Sequence, residues 1–312
     1  MKRLPFLCLL LLLADKGFAQ TDSADAEALR RMVNLSEVVI RSDLNVPRFL
    51  QQIKTDTTFY KAFRNLRILS FTSLNDIRMQ DKRGKVSATL QSRTRQFRQD
   101  GCRTMQVLQE QTTGDIRDRS GDWNYYTAEL YAGLFFTQGK VCGENNIVSG
   151  TQRKVRQTKG LEKHKEQLKM MFFNPGKKIP GIPFIGDKLD VFDKDVARFY
   201  DFNIDVEDYR EVPSYKFTIQ RKEGLSSGER DKIVYDNITT WFDAKNLSIL
   251  GRVYDLSYNA GVYDFDVHME VQMTHFNGLL VPNLIRYNGN WDVAFKKRER
   301  GIFTATLFDF AR

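Results

Sequence analysis

The stretch from Tyr263 to Met273 alternates without a break. Tyr263, Phe265, Val267, Met269, Val271 and Met273 are apolar, while Asp264, Asp266, His268, Glu270 and Gln272 between them are polar. Successive side chains of a strand point to opposite faces, so this run reads as a strand with one greasy side and one wet side. It belongs to a series of similar segments over residues 232–310 joined by short turns. One-sided strands in series pair antiparallel, with one face covered and the other in water. The expected fold class is therefore mainly β with a few helices, built as a strongly curved antiparallel sheet or half-barrel.

The start of the chain bears on compartment. Lys2 and Arg3 precede an apolar run ending at Ala14, and small residues follow at Gly17 and Ala19. This is the pattern of a secretory signal peptide, expected over residues 1–19 with cleavage before Gln20. The apolar run is shorter than the ~20 residues a membrane-spanning helix needs. Residues 20–312 read as one curved antiparallel β domain, with a helix and Pro/Gly-rich loop inserted around residues 143–201. The expected location is the periplasm or the outside of the cell. Export leaves Cys102 and Cys142, and in an oxidising compartment a pair most simply forms one disulfide. The formal net charge of +9 favours anionic neighbours such as a membrane surface, while export disfavours nucleic acid as a partner.

Other elements follow from periodicity and turn chemistry. Phe49, Leu50, Ile53, Phe59 and Phe63 recur at helical spacing over residues 46–65, with an interruption near Thr55–Thr58. Residues 67–80 and 85–98 read as strands, the second with Val86, Ala88 and Leu90 inward. Asp100-Gly101 turns the chain into a third strand from Cys102. The aromatic-rich segment over residues 121–140 reads as strand. Asn277-Gly278 and Asn288-Gly289 both read as hairpin turns.

The candidate site residues fall in two groups. His268 shares a strand face with Asp264, Asp266 and Glu270. That row reads either as a solvated polar face or as a metal or acid–base site. No nucleophile elbow surrounds Ser226-Ser227 and no phosphate loop surrounds Gly176-Lys177, so no catalytic residue or cofactor is assigned. The second group is the loop over residues 174–186. Its prolines and glycines exclude regular structure, yet it keeps Ile179, Ile182, Phe184 and Ile185, which a purely solvated loop would not need. These four read as a lid over an apolar pocket. Lys163, Lys165 and Lys169 of the basic helix before it read as rim cations that meet an anionic headgroup.

Residues 240–253, running Thr240-Trp241-Phe242-Asp243 to Arg252-Val253, resemble the strand-turn-strand step of the periplasmic lipoprotein-carrier family, the LolA/LolB-like half-barrels. Leu280 to Ile285 is similar to that family's run into its last strands. The resemblance implies an unclosed antiparallel barrel wrapped around helices, with an apolar cavity for acyl chains. The chain as a whole also resembles a group of exported proteins of Bacteroidetes-type bacteria, which implies no chemistry. The expected function is non-enzymatic binding of a lipid or other hydrophobic ligand in the cell envelope, with peripheral contact to an anionic membrane surface. Two alternatives stay open. One is an exported hydrolase or metal-dependent enzyme using His268 and its carboxylates. The other is an outer-membrane β-barrel or structural envelope protein.

Overall fold

The computed structural model describes residues 27, 30–40, 42–148, 167, 170–179, 182, 185–260, 263–293 and 298–312. The expected signal peptide and nearly all of the basic helix lie outside the described residues. Among the described residues twelve strands make one sheet: β1 (Val33–Leu35), β2 (Ser70–Gln80), β3 (Val86–Gln99), β4 (Cys102–Thr113), β5 (Val141–Cys142), β6 (Tyr200–Tyr209), β7 (Val212–Arg221), β8 (Tyr235–Asp243), β9 (Ile249–Ala260), β10 (Tyr263–Phe276), β11 (Leu279–Val293) and β12 (Glu299–Ala311). Their spatial order is β1-β6-β7-β8-β9-β10-β11-β12-β2-β3-β4-β5. Every neighbouring pair is antiparallel except β1 beside β6. The sheet is curled and open, not closed into a barrel, in agreement with the expected fold class.

The alternation of β10 sets the inside and the outside. Phe265, Val267, Met269, Val271 and Met273 are buried in the core, and Asp266 and His268 are exposed. Asn277 and Gly278 both take positive φ, 47° and 75°, which is what a two-residue hairpin turn between β10 and β11 requires. Asp100 and Gly101 do the same between β3 and β4. Pro282 cannot donate to a ladder, and the register of β10 and β11 shifts between Gln272 and Met273, where Met273 pairs with Pro282.

Helices fill the concave side. In α1 (Glu37–Ile40) only Val39 is buried. In α2 (Val46–Thr55) the Asn45 side chain accepts from the Arg48 amide at 3.1 Å, and Pro47 stands in the first turn. Its Phe49 ring meets Phe217 and Phe242 of the sheet edge-on, at 6.4 and 5.1 Å between centroids. After the interruption expected near Thr55–Thr58, α3 (Thr58–Asn65) buries Phe59, Tyr60 and Phe63. Two short helices, α5 (Lys194–Ala197) and α6 (Ser227–Arg230), serve as connections; α6 begins with a capping box between Ser226 and Glu229.

Three expectations are corrected. The segment over residues 121–140 is not a strand: it carries α4 (Tyr126–Phe135), rich in the helix formers Ala128, Leu130, Ala132 and Leu134. Its start has no local side-chain cap. The Glu299 carboxylate supplies one from the far end of the chain, accepting from the Tyr126 and Thr127 amides at 2.8 Å each. Asn288-Gly289 is not a turn but the middle of β11, where an added Cβ on Gly289 would collide with the Tyr287 ring lying across it. Val86 does not face inward; it is 42% exposed at the first position of β3, beside a register shift.

Candidate functional site

The inward residues of β10, β11 and β12 form an aromatic floor. Tyr287 and Phe303 stack with centroids 4.9 Å apart, and Phe265 lies 5.0 Å from Trp291. From above, Phe172 meets Tyr287 and Trp291 edge-on at 5.9 and 5.7 Å, and Tyr131 of α4 lies 5.1 Å from Phe303. Between floor and helix is a cavity of about 50 Å³ whose lining is almost wholly apolar, with Leu130, Leu134, Phe135, Phe173, Met269 and Ile285 among its walls. A dry apolar cavity of ~150 Å³ admits benzene. The present space is about a third of that, so an acyl chain fits only if a wall moves outward.

The wall best placed to move is α4. It is apolar nearly all round, which normally marks a fully buried helix. Here Leu130, Leu134 and Phe135 are only half-buried. Ala128, Tyr131 and Ala132 anchor it to the core, and two polar contacts hold it as well. Besides the Glu299 cap, the Tyr131 hydroxyl donates to Asn75 Oδ1 at 2.9 Å. Asn75 belongs to a buried polar stripe on the inward side of β2 and β3, where Ser73, Ser92 and Thr94 also bond to its side chain.

A larger cavity of about 360 Å³ opens where the junction of α2 and α3 faces the β8–β9 and β10–β11 turns. Its lining mixes Asp56, Lys61, Ser248 and His275 with Ile53 and Leu280. Ser248 Oγ and His275 Nε2 are 3.1 Å apart in an exposed setting.

The loop expected to act as a lid is packed against the body. Ile179, Ile182 and Ile185 are 1%, 8% and 1% exposed and join the continuous core, and none of them lines the cavities above. Phe184, Lys163, Lys165 and Lys169 lie outside the described residues. Lys177 of the same loop turns inward and donates to the Ile53 carbonyl at 3.1 Å and to the Lys54 carbonyl, capping the end of α2. Burial, helped by the Arg252 charge, pushes its ammonium down to about 8, against the pull of Asp56 and Asp190. Arg252 itself is buried, donating to Thr240 Oγ1 at 2.8 Å and lying over the Phe59 ring.

The row around His268 lies on the wet face and is divided among separate partners. His268 Nδ1 meets Asp255 Oδ1 at 2.6 Å, Arg286 donates to Glu270 at 2.9 Å, and Arg298 pairs with Asp264. His268 and Asp255, and Glu270 and Arg286, stand directly opposite across neighbouring strands, and such pairs stabilise the sheet. Cys102 and Cys142 stand opposite one another in β4 and β5 and are bridged. The sequence does not mark the α4 residues, Phe172 or Phe173 as site residues; the one signal there is the density of aromatics.

No family model matches the sequence, and no curated protein matches it. Among solved structures, the chain is similar to an outer membrane lipoprotein-sorting protein domain from Vibrio parahaemolyticus. That match has 9% identity and a TM-score of 0.27, covering 80% of this chain and 88% of that one. It is also similar to a DUF1329 family protein from Desulfovibrio piger ATCC 29098, at 13% identity and a TM-score of 0.26, covering 82% and 93% of the two chains. Likenesses this remote carry no argument about function, which rests on the geometry of the chain itself.

Proposed function

We propose that the chain is an exported cell-envelope protein that binds a hydrophobic, lipid-like ligand against the concave face of its open sheet, a binding role rather than a catalytic one. The observation that carries this reading is the apolar cavity beneath α4, roofed by a helix whose cavity-lining Leu130, Leu134 and Phe135 are only half-buried. Outward movement of α4 enlarges that cavity without breaking the strand ladder. The disulfide fits an oxidising compartment. Among the described residues no helix is long and apolar enough to cross a membrane.

In the same reading the loop over residues 174–186 closes the far side of the concave face through Ile179, Ile182 and Ile185, with Phe184 as a further member. Lys163, Lys165 and Lys169 are the cations that meet an anionic membrane surface. Native mass spectrometry of protein purified from its own envelope tests the proposal, together with titration of a fluorescent fatty acid. A co-purifying amphiphile and saturable probe binding are expected. Protein that carries no amphiphile and binds no probe would overturn the reading.

A further inference from the structure

Beside the apolar cavity, across a shared wall of Leu134, Phe135 and Phe173, lies a second small cavity with a different chemistry. It is lined by Arg64, Arg67, Arg103 and Gln96 as well as Tyr60 and Phe63. Three arginines line it, Arg64 and Arg67 around the end of α3 and Arg103 at the start of β4, and a fourth, Arg98 at the end of β3, reaches Glu144 beside them. One carboxylate, Glu144, lies among them. Arg67 donates to its Oε1 at 2.8 Å, Arg103 to its Oε2, and Arg98 to its backbone carbonyl at 3.3 Å. Burial works to raise the Glu144 carboxyl, but the Arg103 hydrogen bond and the charges of Arg67, Arg103 and Arg64 hold it below its ordinary value.

The positive charge is not used up. Arg64 Nε and Arg98 Nη1 are buried and have no hydrogen-bond partner among the described residues. Buried donors left without acceptors are costly, and guanidinium forks suit oxyanions. The side chain of Arg67 keeps 26% exposure, so the cluster communicates with solvent.

We propose that this cluster receives the anionic head, a phosphate or carboxylate oxyanion, of an amphiphile whose apolar part lies behind Leu134, Phe135 and Phe173. The proposal rests on the lipid-binding reading above and assigns the ligand class within it. Glu144 then acts as a resident anion that an incoming head displaces from Arg67 and Arg103. The two cavities share one wall, so a single outward shift of α4 joins the apolar chamber to the arginine mouth.

The test uses the full mature chain and three probes below their aggregation concentrations: dodecyl phosphate, dodecyl maltoside and inorganic phosphate, each followed by titration calorimetry. The wild type should bind dodecyl phosphate at least tenfold more tightly than dodecyl maltoside, and inorganic phosphate far more weakly. Arg64→Gln, which breaks no observed hydrogen bond, should lose about tenfold for dodecyl phosphate and nothing for dodecyl maltoside. Glu144→Gln should tighten dodecyl phosphate selectively, a gain that a purely structural role for Glu144 would not produce. Both variants are compared only after their melting curves show a folded protein. Equal affinity for the two amphiphiles, or an unchanged Arg64→Gln, would overturn the headgroup assignment while leaving lipid binding intact. Inorganic phosphate binding as tightly as dodecyl phosphate would mark a free-phosphate site and overturn the assignment to an amphiphile. Binding of neither amphiphile would overturn the lipid reading and this inference together.

Discussion

The Tyr131 hydroxyl reaches Asn75 Oδ1 at 2.9 Å, and that oxygen also accepts from Ser73 Oγ at 2.8 Å. This joins α4, the helix between β4 and β5, to the polar interior of the sheet. Burial pushes the Tyr131 phenol far above its ordinary value, so it stays a neutral donor throughout the working pH range. Tyr131→Phe removes the bond but leaves Asn75 its serine partner. Denaturant titration should show a loss of about 1 kcal/mol. Stopped-flow mixing should show faster uptake of a fatty-acid probe, because α4 then leaves the floor more readily.

Glu299 carries the start of the same helix from a distant part of the chain. Glu299→Gln keeps the shape but removes the negative charge from the two amides it accepts, a contribution of about 1–2 kcal/mol. Amide exchange over residues 126–135 should accelerate, while exchange in β10 stays unchanged. Uniform acceleration over the whole sheet would contradict a local role.

The bridge between Cys102 and Cys142 closes a loop of 40 residues' separation. In the chain-entropy model such a loop is worth about 4 kcal/mol. Thiol labelling of unfolded, unreduced mature protein should find no free cysteine. The Cys102→Ser, Cys142→Ser double variant should unfold at lower denaturant by that margin. Arg103 and Glu144 flank the bridged residues, so the double variant should also loosen the arginine cluster and weaken dodecyl phosphate binding more than dodecyl maltoside binding.

Lys177 sets a pH dependence. Its folded value near 8 lies below the ordinary 10.5, so between those values the unfolded chain holds the proton more firmly than the folded one. Stability therefore rises with pH across that window, and charged Lys177 is a cost below pH 8. Lys177→Met removes the term. Relative to this variant, the wild type should gain up to about 3 kcal/mol between pH 7 and pH 10.5. A constant difference across that range would refute the burial argument.

Much of the architecture is legible in residue order because half-buried strands write their burial as alternation. The inward row from Phe265 to Met273, the Asn277-Gly278 turn and the broken helix over residues 46–65 all follow local rules. Where the sequence misleads, a distant partner decides. The cap of α4 comes from Glu299, so residues 121–140 show aromatics without a helix start. Gly289 looks like half of a turn but is the flat spot that lets Tyr287 lie along β11. The arginine cluster has no linear signature at all, since Arg64, Arg67, Arg98, Arg103 and Glu144 meet only when β2 to β5 fold back over the end of α3. Inward Ser73, Asn75, Ser92 and Thr94 show polar residues on a core face, an arrangement that binary patterning excludes and hydrogen bonding permits.

The position of β12 has a kinetic consequence. Among the described residues it follows every other strand in chain order, yet it lies between β11 and β2 and links the amino-terminal hairpins to the rest of the sheet. As the chain emerges, β2 to β4 can pair among themselves, and β6 to β11 can do likewise. The two halves of the sheet stay unpaired until β12 arrives. Pairing over so long a separation is slow, and both waiting edges, β2 and β11, present open ladders meanwhile. Pairing of the whole sheet is thus gated by β12, and a nascent chain stalled before Glu299 would hold two adhesive half-sheets for a chaperone to shield.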